Sequence, residues 1–321
     1  MPYWENVIRS FQIPWRHRYL WLVAFFSGEG GGFSFSFSQG TRTPLGTGGR
    51  PNFNEFVNQQ TSWLQDHIGL IVAVSVLAVV LAIVLFVLSA ICEGAVVRGS
   101  AEHDAERPYG LGAAWRAGRA TMWTMVRFKL IVIALLLPIF VVLFAILVGA
   151  IVAFVSNSVI AGLILVVVFL LVLAASIAYT IYVGFLDRLG TRAIVLEQVT
   201  KAAAAVGRGH GLVVRRLGRV LLVWLISVAV GWVVAIATGA GGLVLLLPAI
   251  ILVIIGVATG GAGYFAGAVI AFIIVLPVLL VIAGFVAAQA STYWTLSFRR
   301  LDIDYPPPYA FAPPPAPAPA T

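Results

Sequence analysis

The sequence predicts an all-α protein that crosses a membrane several times. Of its 321 residues, 61% are hydrophobic and 10% are charged, whereas a soluble protein carries about 25% charged residues. Three stretches without a charged residue lie at about 70–91, 130–186 and 220–298, and each is long enough for at least one spanning helix of about 20 residues. Of the twenty Lys and Arg residues, all except Arg42 and Arg50 fall on one side of a single topology.

We expect about six spanning helices that form three hairpins, within a helical domain at residues 1–300. The polar break from Ser156 to Ser158 divides the middle hairpin. Short amphipathic helices on the cytoplasmic surface are expected to lead into the hairpins, and both chain termini then lie in the cytoplasm. The predicted helix pairs are 18–30 with 66–92, 128–155 with 159–186, and 217–238 with 266–297.

The N-terminal segment is expected to lie along the membrane surface before the first span. Pro14 predicts a local break in this segment, and the apolar run from Tyr19 to Phe26 is shorter than a full span. The amphipathic pattern is formed by five apolar residues, namely Trp4, Val7, Ile8, Phe11 and Trp15.

Three segments depart from the hairpin pattern. Residues 28–65 are rich in Gly and Ser and predict an outer loop, and residues 301–321 form a Pro- and Ala-rich tail that is expected to be disordered. The apolar insertion at 239–262 predicts a re-entrant or interfacial hairpin, because Pro248 and the nearby glycines permit a bend. In the alternative it is a seventh spanning helix, which would place Arg299 on the side that has few cations.

Two basic segments, 110–127 and 199–216, align without gaps at an offset of 89 residues and predict an internal repeat. Each precedes an uncharged stretch, as an interfacial helix feeding a hairpin would. The matched residues are Ala113, Ala114, Gly118, Arg119 and Arg127 with Ala202, Ala203, Gly207, Arg208 and Arg216.

The cations of these two segments are candidates for contact with anionic lipid headgroups. Helical spacing places Arg116, Arg119 and Arg127 on one face, together with Trp123. The alternative is positive-inside anchoring without lipid selectivity. In the second segment and just after it, the candidates are Lys201, Arg208, Arg215, Arg216 and Arg219. Helical spacing is expected to place four of these on one face, namely Lys201, Arg208, Arg215 and Arg219.

No residue pattern points to catalysis, and we expect a protein that is not an enzyme and holds no cofactor or metal. The sequence has no HExxH, GxSxG or P-loop string. Its one cysteine, Cys92, excludes a disulfide within the chain. The basic residues flank apolar spans, so nucleic acid is not an expected partner. The apolar spans carry no ionisable residue away from their ends, which argues against proton-driven transport.

The chain resembles the membrane domain of some bacterial glycerophosphoryl diester phosphodiesterases and related multi-helix proteins. The resemblance rests on the Ala-Ala-x-x-x-Gly-Arg pattern at Ala113 and at Ala202, and on the ending from Tyr293 to Arg300. It implies a bacterial cell-membrane protein. The hydrolase of those enzymes is a separate soluble domain that this sequence does not match, so the resemblance carries over no catalytic residue.

The function expected from the sequence is that of a scaffold or accessory subunit of a membrane complex. Its expected partners are anionic membrane lipids and either another membrane protein or a second copy of the chain. In the alternative, the protein transports or handles a lipid or another hydrophobic solute, around an apolar path between its uncharged helices. A polar cavity or lateral groove between the hairpins would favour the alternative, whereas a fully packed bundle would favour the scaffold.

Overall fold

A computed structural model describes residues 2–28, 67–156 and 158–301, and every regular element in these residues is an α-helix. This confirms the predicted fold class. The helices are α1 (Pro2–Arg16), α2 (Tyr19–Ser27), α3 (Ile68–Asp104), α4 (Leu111–Val155), α5 (Val159–Leu196), α6 (Ala202–Arg215), α7 (Leu217–Thr259) and α8 (Ala262–Leu301).

Five of these helices are long and apolar enough to cross a membrane, namely α3, α4, α5, α7 and α8. The predicted count of six is not confirmed, because the helix expected to open the first hairpin is the nine-residue α2. At 1.5 Å per residue, α2 is about 14 Å long, which is half of a hydrocarbon core of about 30 Å. The predicted outer loop and tail lie outside the described residues, apart from Gly28 and Leu301.

The apolar insertion at 239–262 does not form a separate hairpin, so that prediction was wrong. Residues 217–259 are one helix, α7, which continues through Pro248. The chain reverses at Gly260 and Gly261, where Gly260 takes a left-handed conformation with φ of 68°. The seven-helix alternative is also wrong, because the described chain from 217 to 301 contains two long helices. Neighbouring packing lets a long apolar helix tolerate an internal proline.

Two of the predicted surface segments differ from expectation. Residues 111–127 do not form a separate short helix; they are the first turns of α4 and run without a break into its apolar part. In contrast, residues 202–215 do form a separate short helix, α6. In α1, Pro14 lies inside the helix, and the break follows at His17 and Arg18. Trp4, one of the predicted apolar positions of α1, is 60% exposed.

The helices are packed most tightly at one end of the bundle, which we call the basic end because all described Lys and Arg residues lie on the segments that meet there. Three helices end at it: α3, α5 and α8. These three helices contact one another, and a further segment of the chain packs against each of them. The start of α4 packs on α3, α6 packs on α5, and α1 packs on α8. The fold therefore closes on itself, with the first of the described helices, α1, packed against the last, α8.

Polar side chains fill the centre of the basic end. The hydroxyls of Ser100 in α3 and Thr292 in α8 lie 2.9 Å apart, and both residues are fully buried. Arg192 of α5 is also fully buried, and its Nη2 donates to the carbonyl oxygen of Ser291 at 3.4 Å. Buried polar groups cost free energy unless they are hydrogen-bonded, so these contacts fix how the three helices meet.

Two histidine rings stack where the α1–α2 turn meets the end of α3. The rings of His17 and His103 have centroids 3.5 Å apart and planes 8° apart. The hydroxyl of Tyr19 lies 2.8 Å from Nε2 of His103. Burial, and then the charge of Arg16, lower the pKa of His17 below its ordinary value, so the packed state favours the neutral ring.

Acidification is expected to destabilise this contact. Because the folded-state pKa of His17 is lowered, the stability it contributes is complete above its ordinary pKa of about 6.5 and falls as the pH decreases below that value. We expect a lower thermal melting temperature in detergent at about pH 5.5 than at about pH 7.5. His17→Phe keeps a stacking ring and should show a smaller decrease. An equal decrease in both proteins would contradict this role for His17.

Candidate functional site

The cations predicted in the first basic segment lie along one straight helix. Arg116, Arg119 and Arg127 are all exposed on α4, and Trp123 beside them is 65% exposed. They are spread over eleven residues, or about 16 Å of helix. This face can lie along a headgroup layer, but its side chains do not converge on one ligand.

The cations of the second segment are arranged differently, because the helix breaks among them. Lys201 precedes α6, Arg208 and Arg215 lie on α6, and Arg219 lies on α7. The shared helical face expected for these residues is therefore absent, since Arg216, with φ of −136° and ψ of 36°, separates the two helices. The break instead gathers Arg208, Arg215, Arg216 and Arg219 around a cavity of about 590 Å³.

A buried charge cluster joins three of the long helices. Nζ of Lys129 in α4 lies 3.0 Å from Oε1 of Glu93 in α3 and 2.8 Å from Oδ1 of Asp187 in α5. The hydroxyl of Thr191 donates to the same Glu93 oxygen at 3.1 Å. Glu93 is 2% exposed. The cluster holds the three helices together at the end of their apolar spans.

A gap between α5 and the pair formed by α7 and α8 forms a cavity of mixed polarity. Helix α2 packs on both α3 and α8, and the start of α4 packs on α3 while the rest of α4 follows α5. In contrast, α7 packs along α8 but has little contact with α5 beyond the ring of Phe185 against that of Trp224. The cavity left there, the lateral groove, has a volume of about 650 Å³ and is lined by α7, α8 and Arg188 of α5.

The floor of the lateral groove consists of small residues on one face of α7. Ser227, Gly231, Ala235 and Gly239 follow one another at intervals of four residues and all line the groove. A Cβ atom added to Gly231 or Gly239 would meet no atom within 4 Å. These glycines are therefore not needed for helix packing within the chain, and the space above them is open.

Polar groups lie at the end of the groove nearest the basic end. The guanidinium of Arg188 stacks over the ring of Trp294, 4.7 Å from its centroid. Trp294 in turn donates from Nε1 to Oγ of Ser227 at 3.2 Å, and Gln289 donates to Oγ of Ser10 at 3.0 Å. Farther along, the walls are apolar, with Leu279 among them. One end of the groove is thus polar, with side chains fixed by hydrogen bonds, and the rest of the groove is lined mostly by apolar side chains.

Another cavity, of about 740 Å³ between α4 and α5, has apolar lining residues such as Leu137 and Phe140. It offers no group that would orient a ligand and corresponds to lipid-facing surface. In the described part of the chain, no group of three or more His, Cys, Asp or Glu side chains is placed to hold a metal ion.

Sequence reasoning missed the groove, although a signal for it was present. The four-residue spacing of small side chains from Ser227 to Gly239 marks a helix face on which another chain or molecule can lie close to the backbone. Its polar end could not be read from the sequence, because Arg188 and Gln289 are about a hundred residues apart and reach the groove through the packing of α5 and α8.

One family model matches residues 7–296 and describes a family of unknown function, DUF7544. The chain belongs to this family. No curated protein and no solved structure matches it. The matched residues of this DUF7544 protein include all of α2 to α7 and every residue of the lateral groove and the α6–α7 cavity. The resemblance to the phosphodiesterase membrane domain stays a prediction.

Proposed function

We propose that this protein binds a membrane lipid in the lateral groove and that its function is the handling of that lipid. The observation that carries the proposal is the mixed lining of the groove, which has Arg188 at one end and apolar walls along α7 and α8. A phospholipid is divided in the same way as the groove lining, into a charged headgroup and apolar acyl chains. An arginine is suited to an anionic headgroup because its guanidinium binds phosphate through paired hydrogen bonds.

The position of the groove supports a ligand that enters from the bilayer. From Trp224 to Gly239 the groove follows α7 for about 22 Å, within a helix that is apolar enough to span a membrane. Along this length most residues of α7 that line the groove are aliphatic or small, and the polar ones, Ser227 and Thr238, carry only hydroxyl groups. A charged solute in this part of the groove would lose its hydration without gaining hydrogen bonds or ion pairs, whereas acyl chains have no favourable hydration to lose.

The proposal includes an orientation and a location. The basic end lies in the cytoplasm, because loops on that side of a membrane carry the excess of Lys and Arg, and the exposed face of Arg116, Arg119 and Arg127 then meets the anionic leaflet. Both described chain ends, at α1 and α8, are at this end. The membrane is the bacterial cell membrane implied by the resemblance, and no catalytic residue is assigned.

The scaffold or accessory role remains a second proposal, and the same groove gives it a specific basis. A stripe of small residues such as Gly231, Ala235 and Gly239 also allows a transmembrane helix of a partner or of a second copy to pack closely. The two proposals differ in the occupant of the groove, so one experiment can separate them.

Filling the floor of the groove is expected to displace the lipid. We expect Gly231→Leu to reduce the lipid retained by the protein in mild detergent about tenfold, because a leucine side chain would occupy the open space above α7. Native mass spectrometry of the protein purified from its own membranes measures the retained lipid. Gly241→Leu is the matched control, since Gly241 is exposed on the same helix, lies outside the groove and has no atom within 4 Å of its added Cβ.

Three outcomes separate the proposals. Loss of lipid from Gly231→Leu with retention by Gly241→Leu supports lipid binding. A stoichiometric protein partner or dimer that Gly231→Leu releases would replace the lipid proposal with the scaffold. Equal lipid retention in the native protein and both variants would overturn the assignment of the groove.

A further inference from the structure

We infer that the cavity at the α6–α7 break, the junction pocket, binds a phosphate group that carries at least two negative charges. The junction pocket is defined by Arg208 and Arg215 on α6, by Arg216 at the break, and by Gly218 and Arg219 at the start of α7. Its volume of about 590 Å³ is in the range of small-molecule sites, which is about 300–1,000 Å³. This inference is independent of the lateral groove, which shares no lining residue with it.

The backbone break is what makes the pocket. In a continuous helix, Arg208, Arg215 and Arg219 would follow one another along a single ridge, as the cations of α4 do. The conformation of Arg216 turns the chain, so that α6 forms one wall and the first turn of α7 forms the other. Cations from both helices therefore surround one volume, which is the arrangement that a compact anion needs.

The charges in the pocket are unbalanced. Glu197 pairs with Arg208, with 3.0 Å between Oε2 and Nε. No ion pair joins Arg215, Arg216 or Arg219 to any residue within the described ranges 2–28, 67–156 and 158–301. Three positive charges around one cavity match a phosphomonoester or a pyrophosphate better than a singly charged phosphodiester.

Backbone groups add to the attraction. Leu217 and Gly218 begin α7 and line the pocket, and no side chain caps this helix start. The amide hydrogens at the start of a helix, together with its dipole, attract phosphate. A Cβ added to Gly207, Gly211 or Gly218 would meet no atom within 4 Å, so a ligand can approach the backbone closely at these positions.

The phosphate can belong to a lipid headgroup or to a soluble molecule, and the test has one arm for each source. The full-length protein is placed in nanodiscs of neutral phosphatidylcholine, and binding of radiolabelled pyrophosphate is measured. In the second arm, native mass spectrometry compares retention of phosphatidic acid, a phosphomonoester, with retention of phosphatidylglycerol, a phosphodiester. The variant is Arg215→Gln with Arg216→Gln, and the matched control is Arg116→Gln with Arg119→Gln, which removes the same charge from the straight face of α4.

We expect the junction variant to weaken pyrophosphate binding, or the preference for phosphatidic acid, about tenfold, and the control to change it less than about twofold. A loss confined to pyrophosphate identifies a soluble ligand, and a loss confined to phosphatidic acid identifies a headgroup. Equal losses in both variants, or no binding of either phosphate by the native protein, would overturn the inference. An unchanged melting temperature and undiminished lipid in the lateral groove show that the variant is folded and that the groove is intact.

Discussion

Replacing Lys129 by methionine is expected to lower the free energy of unfolding by about 3 kcal/mol. Lys129 lies between Glu93 and Asp187 and is the cation that both carboxylates share. Its loss leaves two negative charges near each other, one of them on a side chain that is only 2% exposed. Removing one partner of a buried pair costs about 3–5 kcal/mol, and we take the lower end because the side chain of Lys129 is 20% exposed.

Thermal or denaturant unfolding in detergent measures this effect, and Lys201→Met is the control. Lys201 is exposed and makes no ion pair with any residue in the described part of the chain, so its replacement removes the same charge without breaking a cluster. Glu93→Gln in the Lys129→Met background should restore part of the lost stability, because it removes a buried negative charge. Equal stability of the Lys129→Met and Lys201→Met proteins would show that the cluster does not stabilise the fold.

Gly118→Ala is the second change with a large expected effect, a loss of about 2 kcal/mol. A Cβ at this position would overlap the carbonyl oxygen of Ile91 and lie 3.2 Å from the amide nitrogen of Ala95. Both neighbours are backbone atoms of α3, so α4 must move away. Overpacking costs about 1–3 kcal/mol, and the helix propensity of alanine returns at most about 1 kcal/mol.

The control for Gly118→Ala is Gly207→Ala, whose added Cβ meets no atom within 4 Å. We expect this change to leave the melting temperature unchanged or slightly higher, because alanine favours the helix. A melting temperature of Gly118→Ala that equals that of Gly207→Ala would mean that the close approach of α3 and α4 is not required.

These two glycines also show where sequence reasoning stops. The alignment at an offset of 89 residues pairs Gly118 with Gly207, but Gly207 is exposed. Gly209 takes the equivalent packing position, with an added Cβ 3.3 Å from the carbonyl oxygen of Leu186 in α5. The internal repeat stays a prediction. At this helix contact, the equivalent glycines Gly118 and Gly209 are 91 residues apart, whereas the aligned segments are 89 residues apart. An alignment without gaps cannot match both offsets.

The apolar stretches were sufficient to predict the fold class, because a long uncharged run leaves few alternatives to a membrane helix. Helix ends were harder to predict. Pro248 and the glycines at 260, 261 and 263 suggested a separate hairpin within 239–262, but α7 packs against α8 and is continuous to Thr259. Four of the eight predicted cations, Arg208, Arg215, Arg216 and Arg219, line the junction pocket. The pocket itself depends on two backbone angles at Arg216, which no residue pattern in the chain specifies.

The contact between α1 and α8 joins segments that are synthesised far apart in time. Asn6 is hydrogen-bonded to Ser297 across 291 positions of the chain, and Ser10 to Gln289 across 279. At a synthesis rate of about 5–20 residues per second, α1 waits roughly 15–55 s before its partner exists. Its buried polar face must remain hydrated until then. Of the described helices, α1 is therefore the first to be synthesised and among the last to complete its contacts, and a chain whose synthesis stalls before α8 leaves the polar face of α1 exposed to quality-control proteases.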